Sequence, residues 1–188
     1  MNNEDMNRFF LIAILAVFSA CKQEGGEIHP DASLEERVAK EFHEKISGNK
    51  GFWVNQINDT SSVFREFIME FELGERDTLR GTIYGLHNRG DTILFWRIKE
   101  YWNSQLEYYY TEQSGPMGHT AHRTFFGTPL SRKAEFTMQF IDSTTQSIRD
   151  EHLFLNDSTL ISRNEVFDQQ SETWIKQPVT TWRKSGKE

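Results

Sequence analysis

The chain has one cysteine, four prolines and an acidic balance, with a formal net charge of −7 at neutral pH. Each shortage excludes something. A lone cysteine, Cys21, excludes an intramolecular disulfide. The lack of a basic excess argues against nucleic acid as a partner, which would need a positively charged face. The only long apolar run, Phe9 to Phe18, is too short to span a bilayer as a helix. The chain has no G-x-S-x-G, H-E-x-x-H, P-loop or G-x-G-x-x-G pattern, so no catalytic or nucleotide-binding motif announces an activity. His119 and His122 are three apart, and on a strand they point to opposite faces, so they make no metal pair there. No cofactor or metal is expected.

The N-terminus reads as a targeting signal. Arg8 precedes the apolar run, which ends in Ser19-Ala20-Cys21. That is the layout of a signal peptide, and small residues before a cysteine resemble the lipobox of bacterial lipoproteins. Residues 1–20 are therefore expected to be a lipoprotein signal peptide. Cys21 would be the lipidation site, 21–32 a flexible tether, and 33–188 one domain of helix plus barrel. Acylation of Cys21 supplies enough buried methylene to hold the protein on a membrane. The expected location is the cell envelope, lipid-anchored, at the outer membrane.

The mature domain reads as one helix followed by many strands. Ser33-Leu34-Glu35-Glu36 has the form of a capping box. Leu34, Val38, Phe42 and Ile46 then make an apolar stripe that ends at Gly48-Asn49. His43, beside the stripe, is read as a helix-surface histidine. Alternating runs follow: 51–57, 63–73, 79–86, 92–99, 105–111, 119–126, 134–140, 148–155, 159–167 and 174–184. Short turns join them, and Gln113 to Gly118 is taken as a loop. Pro178 implies an edge, a bulge or a break in the last strand. The fold class is all-β: an antiparallel up-and-down barrel of about nine or ten strands with one N-terminal amphipathic helix.

The stretch Thr78 to Thr111 is the richest in aromatics, and its hairpin register separates two faces. One face carries Gly81, Ile83, Gly85, Trp96 and Ile98, with room over the glycines for the Trp96 indole to lie flat; it is read as a structural seam facing the helix. The other sets Leu86 opposite Ile93, Tyr84 opposite Phe95 and Thr82 opposite Arg97. Pairing through the turn Gly74 to Asp77 brings the Phe67, Met69 and Phe71 face of the preceding strand onto this second face. The candidate ligand-binding residues are therefore Arg97, Tyr84, Phe95, Tyr108, Tyr110 and Met69. An arginine among aromatics must be paired, either with an internal carboxylate or with a ligand carboxylate. Asp150, His152, Arg163 and Glu165 can share a face, as a solvated charge ladder or as an acid/base site.

Phe52-Trp53, the long acidic-alternating strand after it, Gly81-Thr82-Ile83-Tyr84-Gly85, Arg149-Asp150-Glu151 and Thr181-Trp182-Arg183-Lys184 carry a family likeness. These motifs resemble uncharacterised bacterial secreted proteins with a lipocalin-like, calycin-type barrel. The resemblance implies a barrel around an apolar cavity that binds a small apolar or amphipathic molecule. Two other readings stand beside it: a non-catalytic structural or interaction module of the envelope, marked by exposed Trp96 and Trp102, and an isomerase- or hydrolase-like enzyme using Asp150 and His152.

Overall fold

The structure, a computed structural model, describes residues 30–48, 52–58 and 61–186. The expected signal peptide, Cys21 and the tether as far as residue 29 lie outside the described residues, as do the Ser33 side chain and part of the turn at 58–62; residues 30–32, expected as tether, open the helix instead.

The helix α1 (Pro30–Ser47) starts a turn before the expected cap, with proline in its first turn. Such a start suits proline, whose missing N–H has no partner to lose there. Eleven strands follow: β1 (Phe52–Gln56), β2 (Phe64–Leu73), β3 (Leu79–His87), β4 (Thr92–Asn103), β5 (Tyr108–Gly115), β6 (Gly118–Thr128), β7 (Ser131–Phe140), β8 (Thr145–Asn156), β9 (Thr159–Asp168), β10 (Thr173–Lys176) and β11 (Thr180–Ser185). Every pairing is antiparallel. Consecutive strands from β1 to β9 pair in order, and β11 joins β9 to β1, which closes a ten-stranded up-and-down barrel. The fold class read from the sequence is the observed one.

The last strand breaks where proline requires it. Both β10 and β11 run along β9, Thr173 opposite Asp168 and Thr180 opposite Ser162, with Pro178 in the gap between them. Two other boundaries move. The strand β4 runs on through Trp102 to Asn103, and the turn falls at residues 104–107, where Glu107 takes φ 53°. The expected loop at 113–118 is instead a tight turn between β5 and β6, with Gly115 paired to Gly118. A Cβ on Gly115 would lie 1.8 Å from the Phe95 carbonyl oxygen, so only glycine fits that crossing.

One end of the barrel is plugged by α1. Ala39, Phe42, His43 and Ile46 are fully buried. Phe42 packs its ring 5.5 Å from Phe126 and 5.2 Å from Phe154. The Trp53 indole donates 2.8 Å to the Ile46 carbonyl, one of the last helical carbonyls left without an intrahelical partner. Leu79, Ile98, Tyr109, Leu160 and Trp182 complete this core.

Candidate functional site

The faces of the Thr78–Thr111 stretch are the reverse of the expected ones, and the loop after β2 is the cause. Leu73 pairs with Leu79, so five residues, 74–78, make the connection. Arg76 and Asp77 take left-handed φ of 54° and 55°, and the Gly74 N–H donates 2.8 Å to the Thr78 carbonyl. One residue more than expected in the loop slides the register by one and exchanges the faces. Phe67, Met69 and Phe71 therefore pair with Gly85, Ile83 and Gly81. That face, with Trp96 and Ile98 of β4, is the interior.

The sequence-predicted residues consequently divide. Met69 faces inward and is buried in the core. Phe95 sits at the irregularity between Ile83 and Tyr84, 5.2 Å from both Phe64 and Phe67. Arg97 is opposite Thr82, as expected, but both lie on the outer face and Arg97 is exposed. Tyr84 pairs with Leu94 rather than Phe95, points outward and donates 3.1 Å to Glu70, and its hydroxyl is pushed up to about 12 by burial and by that carboxylate. Tyr108 and Tyr110 are outside as well, with the Arg123 guanidinium 5.0 Å over the Tyr108 ring. The Arg97–tyrosine cluster is thus a surface feature. The glycines make room for phenylalanine rather than for the Trp96 indole: a Cβ on Gly81 would meet the Phe71 ring at 2.3 Å, and one on Gly85 would meet Phe64 and Phe95 at 2.8 Å.

The interior holds a polar chain instead, built from α1 and five strands. His43 Nε2 is 2.6 Å from Glu100 Oε1, and both side chains are fully buried. The other Glu100 oxygen accepts 2.7 Å bonds from Thr111 Oγ1 and from Arg132 Nη1. Burial opposes charge on Glu100, but Arg132, His43 and Thr111 outweigh it and hold the carboxyl well below its usual range. Arg132 Nε donates 2.7 Å to His152 Nδ1, and its Nη2 is 3.8 Å from Asp150 Oδ2. With the Asn164 amide oriented to donate, its nitrogen lies 2.7 Å from Asp150 Oδ1. His122 stacks flat on Phe136 at 4.1 Å. His122 and His152 are both drawn down to about 4, chiefly by burial, so both are neutral at pH 7.

His43 reads as a surface residue in the sequence because its partner is remote along the chain. Glu100 lies 57 residues away. The signal in the sequence was the width of the stripe: Ala39, His43 and Ile46 extend the apolar face by a second row at helical spacing. Asp150 and His152 do share a face, but Arg163 and Glu165 are outside. There Lys133–Glu151–Arg163 and Glu135–Arg149–Glu165 run across β7, β8 and β9 as two rows of alternating charge. The solvated ladder is real and the residues in it differ. His119 is exposed and His122 buried, on opposite faces as expected. Among the described residues no group of His, Cys, Asp and Glu is arranged to hold a metal.

The closed ten-stranded antiparallel barrel defines the class: a lipocalin-like β-barrel, here plugged at one end by its own N-terminal helix. The sequence matches no family model and no curated protein.

Proposed function

We propose that this protein is a membrane-anchored barrel of the cell envelope that binds a small apolar or amphipathic molecule in the open half of its interior. One observation carries the reading. Inward-facing residues near the helix are sealed, whereas Ile83, Trp96, Phe136, Ile148 and Val166, at the other end and also inward, keep partial exposure. Partly exposed apolar side chains on the inner face of a closed barrel are the lining that a small apolar ligand would need. The polar chain ending at Asp150 and Asn164 makes a floor beneath that lining. The anchor rests on the Ser19-Ala20-Cys21 pattern.

Trp96 and Trp102 pack against the core rather than form an exposed patch, which removes the feature that would favour a surface-docking module. Acid/base chemistry at His152 is also disfavoured. Arg132 occupies its Nδ1 lone pair, and Nε2 then carries the proton, so no ring nitrogen is free to act as a base.

Native mass spectrometry of the protein drawn from membranes of its own host tests both parts. The expected chain begins at Cys21 with acyl groups attached and carries a second mass that leaves on denaturation. An unmodified N-terminus would refute the anchor. A barrel that never retains an adduct, and that fails to enhance an added amphipathic fluorophore such as 8-anilinonaphthalene-1-sulfonate, would refute the binding.

A further inference from the structure

The floor of the interior is built to discriminate between ligand head groups. Arg132, a buried cation from the strands, gives Nε to His152 and Nη1 to Glu100, both at 2.7 Å. Its Nη2 faces Asp150 Oδ2, and that carboxylate would repel a ligand carboxylate or phosphate approaching the guanidinium. A donor without a hydrogen-bond acceptor lies one step further. His152 is nine-tenths buried, and its proton-bearing Nε2 stands 3.8 Å from Asp150 Oδ1. That separation is too long for a hydrogen bond. Asp150 Oδ2 stands an equal 3.8 Å from Arg132 Nη2. An atom placed at ordinary hydrogen-bond distance from both His152 Nε2 and Asp150 Oδ1 would have to accept from the first and donate to the second. An ammonium cannot accept and a carboxylate cannot donate. A hydroxyl does both.

We infer that the barrel selects an apolar molecule bearing a terminal hydroxyl, seated with its oxygen between His152 and Asp150 and its apolar body against Phe136, Ile148 and Trp96. This deepens the ligand-binding reading above and rests on it. The hydroxyl accepts from His152 and donates to Asp150 Oδ1, which also accepts from the Asn164 amide, whereas an isosteric head of either charge can make only one of these two new bonds.

The test is a matched series, decan-1-ol, decylammonium and decanoate, titrated at pH 7 against the native protein with tryptophan fluorescence as the readout. The alcohol is expected to bind at least about tenfold tighter than either charged analogue, the size of one well-made hydrogen bond. In Asp150→Ala that advantage should shrink to roughly twofold while Arg97→Ala, at an outer-face position, keeps it in full. Equal or tighter binding of decanoate or decylammonium overturns the hydroxyl assignment while leaving the binding interior intact. Binding of none of the three overturns the interior reading itself. If Asp150→Ala does not fold, the ranking of the three heads by the native protein decides alone.

Discussion

At the scale of single residues, the most consequential pair is Glu100 with Arg132. Both are buried, with side-chain exposures of 0% and 8%, and their closest atoms are 2.7 Å apart. Such a pair is not a large net source of stability, because two charges had to leave water to form it. Removing one member is another matter, since the survivor is then a buried charge without its partner. Glu100→Leu is expected to destabilise the fold by about 3–5 kcal/mol, the range for broken buried pairs. The double variant Glu100→Leu/Arg132→Leu should recover much of that loss. Urea unfolding of the two single variants and the double variant measures the coupling. Additive losses would mean that the two side chains act independently, and would sink the account of the polar chain as one connected unit.

At the scale of elements, the glycines of β3 show why some of this fold could be read in advance and some could not. Gly81 pairs with Phe71, whose ring lies over it inside the barrel. Gly81→Ala puts a methyl at 2.3 Å from that ring, so Phe71 must move within a packed interior. The expected loss is about 1–3 kcal/mol by thermal or urea unfolding, the range for overpacked cores, whereas Gly90→Ala, where an added Cβ meets nothing within 4 Å but φ is 95°, strains only its exposed turn. A neutral Gly81→Ala would show that the ring is not held there. Alternation located nearly every strand, and Pro178 marked the break between β10 and β11, because those signals are local. Which face turned inward was not local. It depended on whether the β2–β3 connection has four residues or five, and both faces of β3 and β4 carry aromatics, so composition could not break the tie. The site was harder still. His43, Glu100, Arg132 and His152 come from four elements, each looks like an ordinary polar residue in its own segment, and only closure of the barrel brings them together.

At the scale of the whole molecule, this interior makes stability depend on pH, and the direction follows from which groups are neutral. His122 and His152 sit inside the barrel, facing Arg132, Glu100 and Asp150, with His43 bonded to the far side of Glu100. Burial leads in drawing both histidines down to about 4. In the unfolded chain they would take up protons near pH 6.5. Between those two values the unfolded state binds protons that the folded state does not, so stability rises with pH across the window and is lost on acidification. Each histidine accounts for a change on the order of 3 kcal/mol by pH 4, a large share of the 5–15 kcal/mol typical of a domain. Glu100 acts in the same direction but later. Its carboxyl is held below the ordinary range, so its contribution persists through this window and falls away only in stronger acid. The urea midpoint should therefore drop steadily from pH 7 to pH 4.5, and His122→Phe, which keeps an aromatic ring against Phe136, should remove about half of the slope. A midpoint that stays level over that range would mean that the two imidazoles accept protons in place, and that the floor of the barrel is wet enough to solvate the charge.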